Sequence, residues 1–418
     1  MHQTITLPNG VRILTDKIPG VRTAALGIFV GTGSRHEKAG ESGAAHFIEH
    51  MTFKGTARRT AQQLAMEMDE LGGQVNAYTT KESTCFYLRC LDRHLARGMD
   101  LLCDMFFSSR FAQEDLVTER GVILEEIDMY EDTPEDLCSE RLAAAVYRGS
   151  ALARPILGRR GTLEKMDGPW LQDYRERHYC SHAIVVALTG SFSRDAVRAL
   201  RDRFSALPER PAPAAGPAAY TPAFTVRRKA IEQNHLTLAF PAPDWDSPRR
   251  YELMLLTNLL GGGMSSRLFQ EVREKRGLCY SVYSYYAGHA DIGLLGIYAA
   301  LSRESEAQAL ATILEVVDRL ADHGPTQEEL DRTREQSKAS LLMGLESVQA
   351  RMGHLGRSLL LLGRVPTPEQ LLQAYDAVTA EGVRDLAQTL FRRSGLSLSA
   401  VGRAAPAEEY RALVGQAG

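Results

Sequence analysis

His46 and His50 stand four residues apart, with Glu49 between them. On an α-helix four residues advance about 400°, so both imidazoles fall within roughly 40° on one face. Two adjacent nitrogen ligands suit a single metal ion, and Glu49 shares their face, where a carboxylate can polarise a water molecule. The order His-x-x-Glu-His is among the arrangements that zinc hydrolases use. The alternative is two packed or surface histidines that meet this spacing by chance in a chain with 11 His. A third ligand has to decide between them.

Residues 112–132 supply candidates. Gln113-Glu114-Asp115 places acids where a helix begins, and Leu116, Ile123, Ile127 and Tyr130 recur at helical spacing. Of the acids that follow, Glu119 and Glu126 lie within about 20° of each other in helical phase, while Glu125 points elsewhere. Two acids beside an apolar stripe suit a ligand with an orienting partner. A solvated acidic helix face is the other reading.

The elements that must position these groups are partly legible. Ser42 can act as N-cap of a helix through His46, and Phe47, Ile48 and Met51 form an apolar stripe opposite the histidines. The chain has 418 residues, 44% of them hydrophobic and 24% charged, which fits a globular protein of two or three domains. A net charge of −3 argues against nucleic acid or an anionic membrane as the main partner. No run reaches the roughly 18 apolar residues of a membrane span. The start, Met1 to Leu7, has neither the basic and apolar regions of a secretory leader nor an Arg-rich presequence, so a cytoplasmic location is expected. Cys85, Cys90, Cys103, Cys138, Cys180 and Cys279 form no C-x-x-C pair and read as reduced thiols.

The clearest break is Pro208 to Pro217, with prolines at 208, 211, 213 and 217. It predicts an N-terminal domain over 1–207, a Pro/Ala-rich linker over 208–222 and a C-terminal domain over 223–418. The halves resemble each other. At a shift of 204, Leu64 falls on Leu268 and Gly73 on Gly277; at 214, Gln113-Glu114-Asp115-Leu116 falls on Gln327-Glu328-Glu329-Leu330. Both read as strands mixed with long helices. The predicted fold is therefore α+β: two duplicated domains, each a largely antiparallel sheet with helices packed on one side. The same shifts carry His46, Glu49 and His50 onto Arg250, Leu253 and Met254, and Glu126 onto Ser340. The metal chemistry belongs to the first half alone.

The stretches Ala45 to Thr56 and Glu119 to Ile127 resemble the zinc-binding elements of the insulinase/pitrilysin peptidases, with Glu126 lying 76 residues after His50 as that family places its glutamate ligand. The resemblance implies one Zn²⁺ per chain, bound by His46, His50 and Glu126. Glu49 would be general base to a zinc-bound water, and Glu119 would lie in the surrounding shell. Gly72 to Thr84 is similar to the family's edge strand, so Asn76, Ala77, Tyr78 and Thr79 are expected to hold an extended peptide by β-augmentation. Arg273 and Tyr280 match an Arg/Tyr element that binds substrate carbonyls and stabilises the oxyanion. Asp136 and Glu140 fall where processing peptidases keep acids that read a basic residue.

Length and motif order resemble the short branch of the family, which includes bacterial peptidases and the mitochondrial processing peptidase. The resemblance then implies a zinc metalloendopeptidase for short or unfolded peptides, working as a homodimer around a chamber or as a heterodimer with an inactive paralogue. Arg273 and Tyr280 would face the partner's zinc. The rival from another class is a noncatalytic assembly subunit of the respiratory cytochrome complex type, or a peptide-binding maturation partner, of the same fold.

Overall fold

The computed structural model describes residues 2–415 and contains two compact units. The first gathers the chain up to Ile127, Arg154–Gly216 and Leu342–Pro366; the second gathers Asp128–Ala153, Pro217–Leu341 and the chain from Thr367 onward.

Six strands build the first unit's sheet: β1 (Gln3–Thr6), β2 (Arg12–Lys17), β3 (Thr23–Val30), β4 (Gln74–Thr79), β5 (Thr84–Leu91) and β6 (Ile184–Gly190). They lie in the order β1-β2-β6-β3-β5-β4, antiparallel except for the parallel pair β2·β6. The second unit repeats the plan with β7 (Phe224–Arg228), β8 (Asn234–Ala242), β9 (Cys279–Gly288), β10 (Gly293–Leu301) and β11 (Ser397–Gly402). Its order is β7-β11-β8-β10-β9, with β7·β11 the parallel pair. Element for element, β2, β6, β3, β5 and β4 correspond to β7, β11, β8, β10 and β9, so the duplication suggested by the sequence is a duplication of structure. The fold is α+β, with two mixed sheets flanked by helices.

Helices of the first unit used below are α1 (Ala44–Met51), α2 (Ala61–Glu70), α3 (Leu95–Ser108) and α4 (Gln113–Asp132), the last of which runs into the second unit. The interior strands β3 and β6 are buried on both faces and read as nearly unbroken apolar runs, TAALGIFV and IVVALTG. Alternate residues serve different layers. Ala24, Leu26, Ile28 and Val30 pack on α3 and on the helix Arg194–Ser205 through Met99, Phe106, Leu200 and Phe204. Ala25 and Phe29 face the helix Val348–Leu362, meeting Met352, Leu355 and Leu359. Helices thus lie on one side as expected, and the opposite face is covered too.

That covering helix approaches unusually closely. A Cβ on Gly27 would fall 2.2 Å from the Met352 sulfur, and one on Gly356 would fall 2.1 Å from the Phe29 ring. The two missing side chains let helix and sheet interlock. In the second unit the corresponding layer is α5 (Pro134–Val146), which follows α4 in sequence and packs on β11 and β8. The Cys138 thiol there lies 3.2 Å from the Ser399 carbonyl. Each half of the sequence therefore supplies one helix to the other half's sheet.

Residues 208–223 carry no helix or strand. No helix among the described residues is long and apolar enough to cross a membrane.

Candidate metal centre

α1 has two dissimilar sides. Phe47, Ile48 and Met51 are buried among Leu116 and Ile123 of α4 and Leu163, Leu171 and Tyr174. This packing fixes the rotation of α1 and α4 about their axes and turns His46, Glu49, His50, Glu119 and Glu126 toward one another.

The start of α1 differs from expectation. Gly43, not Ser42, is the N-cap residue, at φ +99°, and no side chain of its own caps the helix. A Cβ at this position would fall 2.9 Å from the Gly158 Cα, so both the left-handed backbone and the close approach require glycine. The Ser42 hydroxyl is buried without a partner. The capping acceptor comes from upstream: Glu37 takes the Gly43 and Ala45 N–H groups at 2.9 and 3.0 Å on its two oxygens. Ser42 fails as a cap because the chain bends at Gly43, which carries its hydroxyl away from the first turn.

The His46 and His50 rings are 4.5 Å apart, inclined at 67°. Their Nε2 atoms stand 3.7 and 3.6 Å from the same Glu126 oxygen, Oε2. Those gaps exceed a hydrogen bond and approach the roughly 3.3 Å between ligands of a tetrahedral ion with bonds of about 2.0–2.1 Å. One donor atom from each of His46, His50 and Glu126 lies within 4.8 Å of the others, and no other such set of three occurs among the described residues. Two imidazoles and a carboxylate with this spacing fit zinc. The opposite nitrogen of His50, Nδ1, is 3.1 Å from Glu119 Oε2, the carboxylate–histidine arrangement that orients metal-bound imidazoles. Lys54 Nζ holds the other Glu119 oxygen at 2.5 Å.

Protonation follows from burial and neighbours. Burial, reinforced by the charge of His50, lowers His46 to about 4, so its ring is neutral and able to bind metal at pH 7. For His50 burial also opposes the charge, but the nearby Glu126 carboxylate and the bond to Glu119 outweigh it and hold the ring above its usual range. The adjacent His50, with His46, lowers Glu126. Burial raises Glu49 against a hydroxyl bond from Thr79, which reaches its Oε2 at 2.5 Å.

Thr79 ends β4, which among the described residues pairs only with β5 and forms the edge of the sheet. Asn76 is exposed on that strand, Ala77 is buried, and Tyr78 and Thr79 are half-buried. One short contact thus joins the acid of α1 to the open strand. Sequence reading named both residues but missed the bond, as it missed Glu37 and Lys54; the one available signal for Lys54 was its position four residues beyond His50.

The remaining predicted residues belong to the second unit. On α5 Asp136 is exposed and Glu140 half-buried, and partial desolvation with the neighbouring Glu135 raises Asp136. Arg273 and Tyr280 do come together: the guanidinium carbon lies 4.6 Å from the Tyr280 ring centre and 4.7 Å from that of Phe269. Tyr280 is 77% exposed, at the start of the edge strand β9. At the positions matching α1, the helix Arg250–Gly261 carries Arg250, Leu253 and Met254 and no metal ligand.

Comparison with known proteins relates this chain to a family of peptidases. The family described as insulinase (peptidase family M16) matches residues 12–160, and one described as the peptidase M16 inactive domain matches residues 170–337. An uncharacterized zinc protease of Bacillus subtilis is 41% identical, with 94% of this chain and 96% of that protein aligned. Another, of Streptomyces coelicolor, is 39% identical over 94% of this chain and 88% of its own length. Among solved structures, a peptidase M16 inactive domain from Pseudomonas fluorescens superposes with a TM-score of 0.90 at 24% identity, covering 97% of this chain and 98% of that one. A protease from Helicobacter pylori gives 0.90 at 20% identity, covering 96% and 99%. At those identities the structures speak for the fold alone.

Proposed function

The chain belongs to the insulinase family of peptidases, family M16, and from that membership we propose that it is a zinc-dependent endopeptidase for short or unfolded peptides. The observation that carries the proposal is the convergence of His46, His50 and Glu126 beside a Glu49 tied to an open strand. The relatives named as zinc proteases support it. Zinc held by His46, His50 and Glu126 would supply Lewis acidity, making water nucleophilic near pH 7 and polarising a carbonyl.

The chain's own residues do the rest. Glu119 holds the His50 ring in place through Nδ1, and Lys54 holds the other Glu119 oxygen. Glu49 takes a proton from the attacking water and returns it to the leaving amine, a role suited to a carboxyl held above its usual range. The free edge of β4 accepts the substrate as an added strand, gripping backbone rather than side chains, with Asn76 to Thr79 beside the scissile bond. Arg273 and Tyr280, from a second copy of the chain, bind substrate carbonyls and the developing oxyanion. Asp136 and Glu140 attract a basic residue near the cleavage site, as in the mitochondrial processing peptidase.

Zinc titration, cleavage of a quenched peptide and the mass of the assembly test the reading together. The expected result is one zinc per chain, cleavage abolished by a chelator and restored by zinc, and a dimer. Glu49→Gln should keep the zinc and lose about 100- to 10,000-fold in turnover; near-normal cleavage by that variant removes Glu49 from the mechanism. Stoichiometric zinc without chelator-sensitive cleavage would assign the chain a noncatalytic assembly role.

A further inference from the structure

At the edge of the first sheet opposite β4, the strands β1 and β2 and the helix Arg194–Ser205 border a groove of about 500 Å³. The sequence places cations there against the preferences of a helix. Arg194, Arg198 and Arg201 recur at i, i+4 and i+7, so three like charges share one helical face. Arg194 also opens the helix, where the backbone dipole is already positive. Lys17 of β2 lines the same groove.

Little in the chain neutralises them. Arg198 has an exposed partner in Asp195 at 3.2 Å, while among the described residues Lys17, Arg194 and Arg201 pair with no acid, and none lines the groove. This occurs in a chain whose net charge is −3. A second observation is independent of charge. Thr15, two residues before Lys17 and so on the same face of β2, is only 6% exposed. It lines the groove, and its hydroxyl makes no hydrogen bond within the protein. The hydroxyl of this buried residue opens on the groove among four cations with no protein acceptor, and a bound anion supplies one.

We propose that this groove binds a small multivalent anion of the phosphate class. Lys17, Arg194, Arg198 and Arg201 neutralise it, the Thr15 hydroxyl donates to one of its oxygens, and the helix N-terminus adds to the field. The volume suits a chain of a few phosphates or a nucleotide. The site lies at the other end of the sheet from the peptide edge and is independent of the proposed peptidase activity.

The test is calorimetric titration of the full chain with inorganic triphosphate at low ionic strength. Saturable binding at one site per chain is expected, weakening as salt rises. The double variant Arg194→Glu/Arg201→Glu, altered only at exposed positions, should bind about tenfold more weakly or worse. Thr15→Val should weaken binding severalfold. ATP tells the sources apart: affinity equal to triphosphate means that the phosphates alone are recognised, and tighter binding means that the nucleoside is held too. No saturable binding by the unaltered chain, undiminished binding by the double variant, or hexaglutamate binding as tightly as triphosphate would each overturn the proposal.

Discussion

Glu119 is 4% exposed, and both of its oxygens are committed, one to His50 Nδ1 and one to Lys54. It touches no predicted position of substrate or metal, so its contribution runs through His50. Glu119→Ala frees that ring to rotate and strands Lys54 over a half-empty site. Zinc affinity should fall about 10- to 100-fold, the cost usual for losing an orienting partner. Competition against a chelator of known affinity measures it; an unchanged zinc affinity would leave Glu119 as packing only. The His46, His50 and Glu126 cluster was legible in the sequence because its geometry is local. Helical phase alone brings His46, Glu49 and His50 to one face, and places Glu119 with Glu126. The bond from Thr79 to Glu49 was not legible, since it joins residues 30 apart through the meeting of a helix and a strand.

Among the elements, α1 depends on a cap that sequence spacing does not reveal. The expectation of Ser42 rested on the usual side chain just before a helix, whereas Glu37 reaches the first turn from a bend six residues earlier. Glu37→Ala leaves the Gly43 and Ala45 N–H groups buried and unbonded, at a cost of about 1–3 kcal/mol for each. Urea unfolding of the variant should show that loss with an unchanged m-value. The helix Gly168–His178, which packs on α1 through Tyr174, carries a pH-sensitive residue at its end. The His178 ring stacks on Tyr174 at 3.9 Å, and burial lowers it to about 4. Between pH 6.5 and 4 the unfolded chain binds a proton that the folded chain refuses, so stability falls as pH falls through that window. The loss amounts to at most about 3 kcal/mol by linkage. His178→Phe keeps the stacking and removes the titration. From pH 7 to pH 4 the parent should therefore lose stability relative to the variant by that amount in measured unfolding free energy; a difference that stays constant would mean that His178 is silent.

Across the whole molecule, the doubled sheet could be read from the sequence, because Gly73/Gly277 and the Gln-Glu-Asp-Leu pair preserve the register of strands and helices. Which sheet each helix covers could not. Amphipathic spacing states that α5 and the helix Val348–Leu362 have an apolar side, and both sheets present apolar faces that would accept it. A chain divided at Gly216 would deprive each unit of one layer: Phe29, Tyr87 and Val185 would lose Met352 and Leu355, while Ser399 and His235 would lose Cys138. Residues 1–216 or 217–418 produced alone should be insoluble or molten, and the two produced together should recover the unfolding transition of the intact chain. A cooperative transition in either fragment alone would show that the exchanged helix is dispensable.

The same exchange sets a timetable during synthesis. The first unit's sheet is fully translated once Gly190 has been made, yet the helix that closes its second face ends at Leu362. At about 5–20 residues per second, translating from Gly190 to Leu362 occupies roughly 9–34 s. Throughout that interval Ala25, Phe29, Tyr87 and Val185 have no partner layer, and Gly27 waits for Met352. The ribosome thus carries a nearly complete first unit with one open apolar face through two-fifths of its passage along the message, an interval in which that face is open to aggregation.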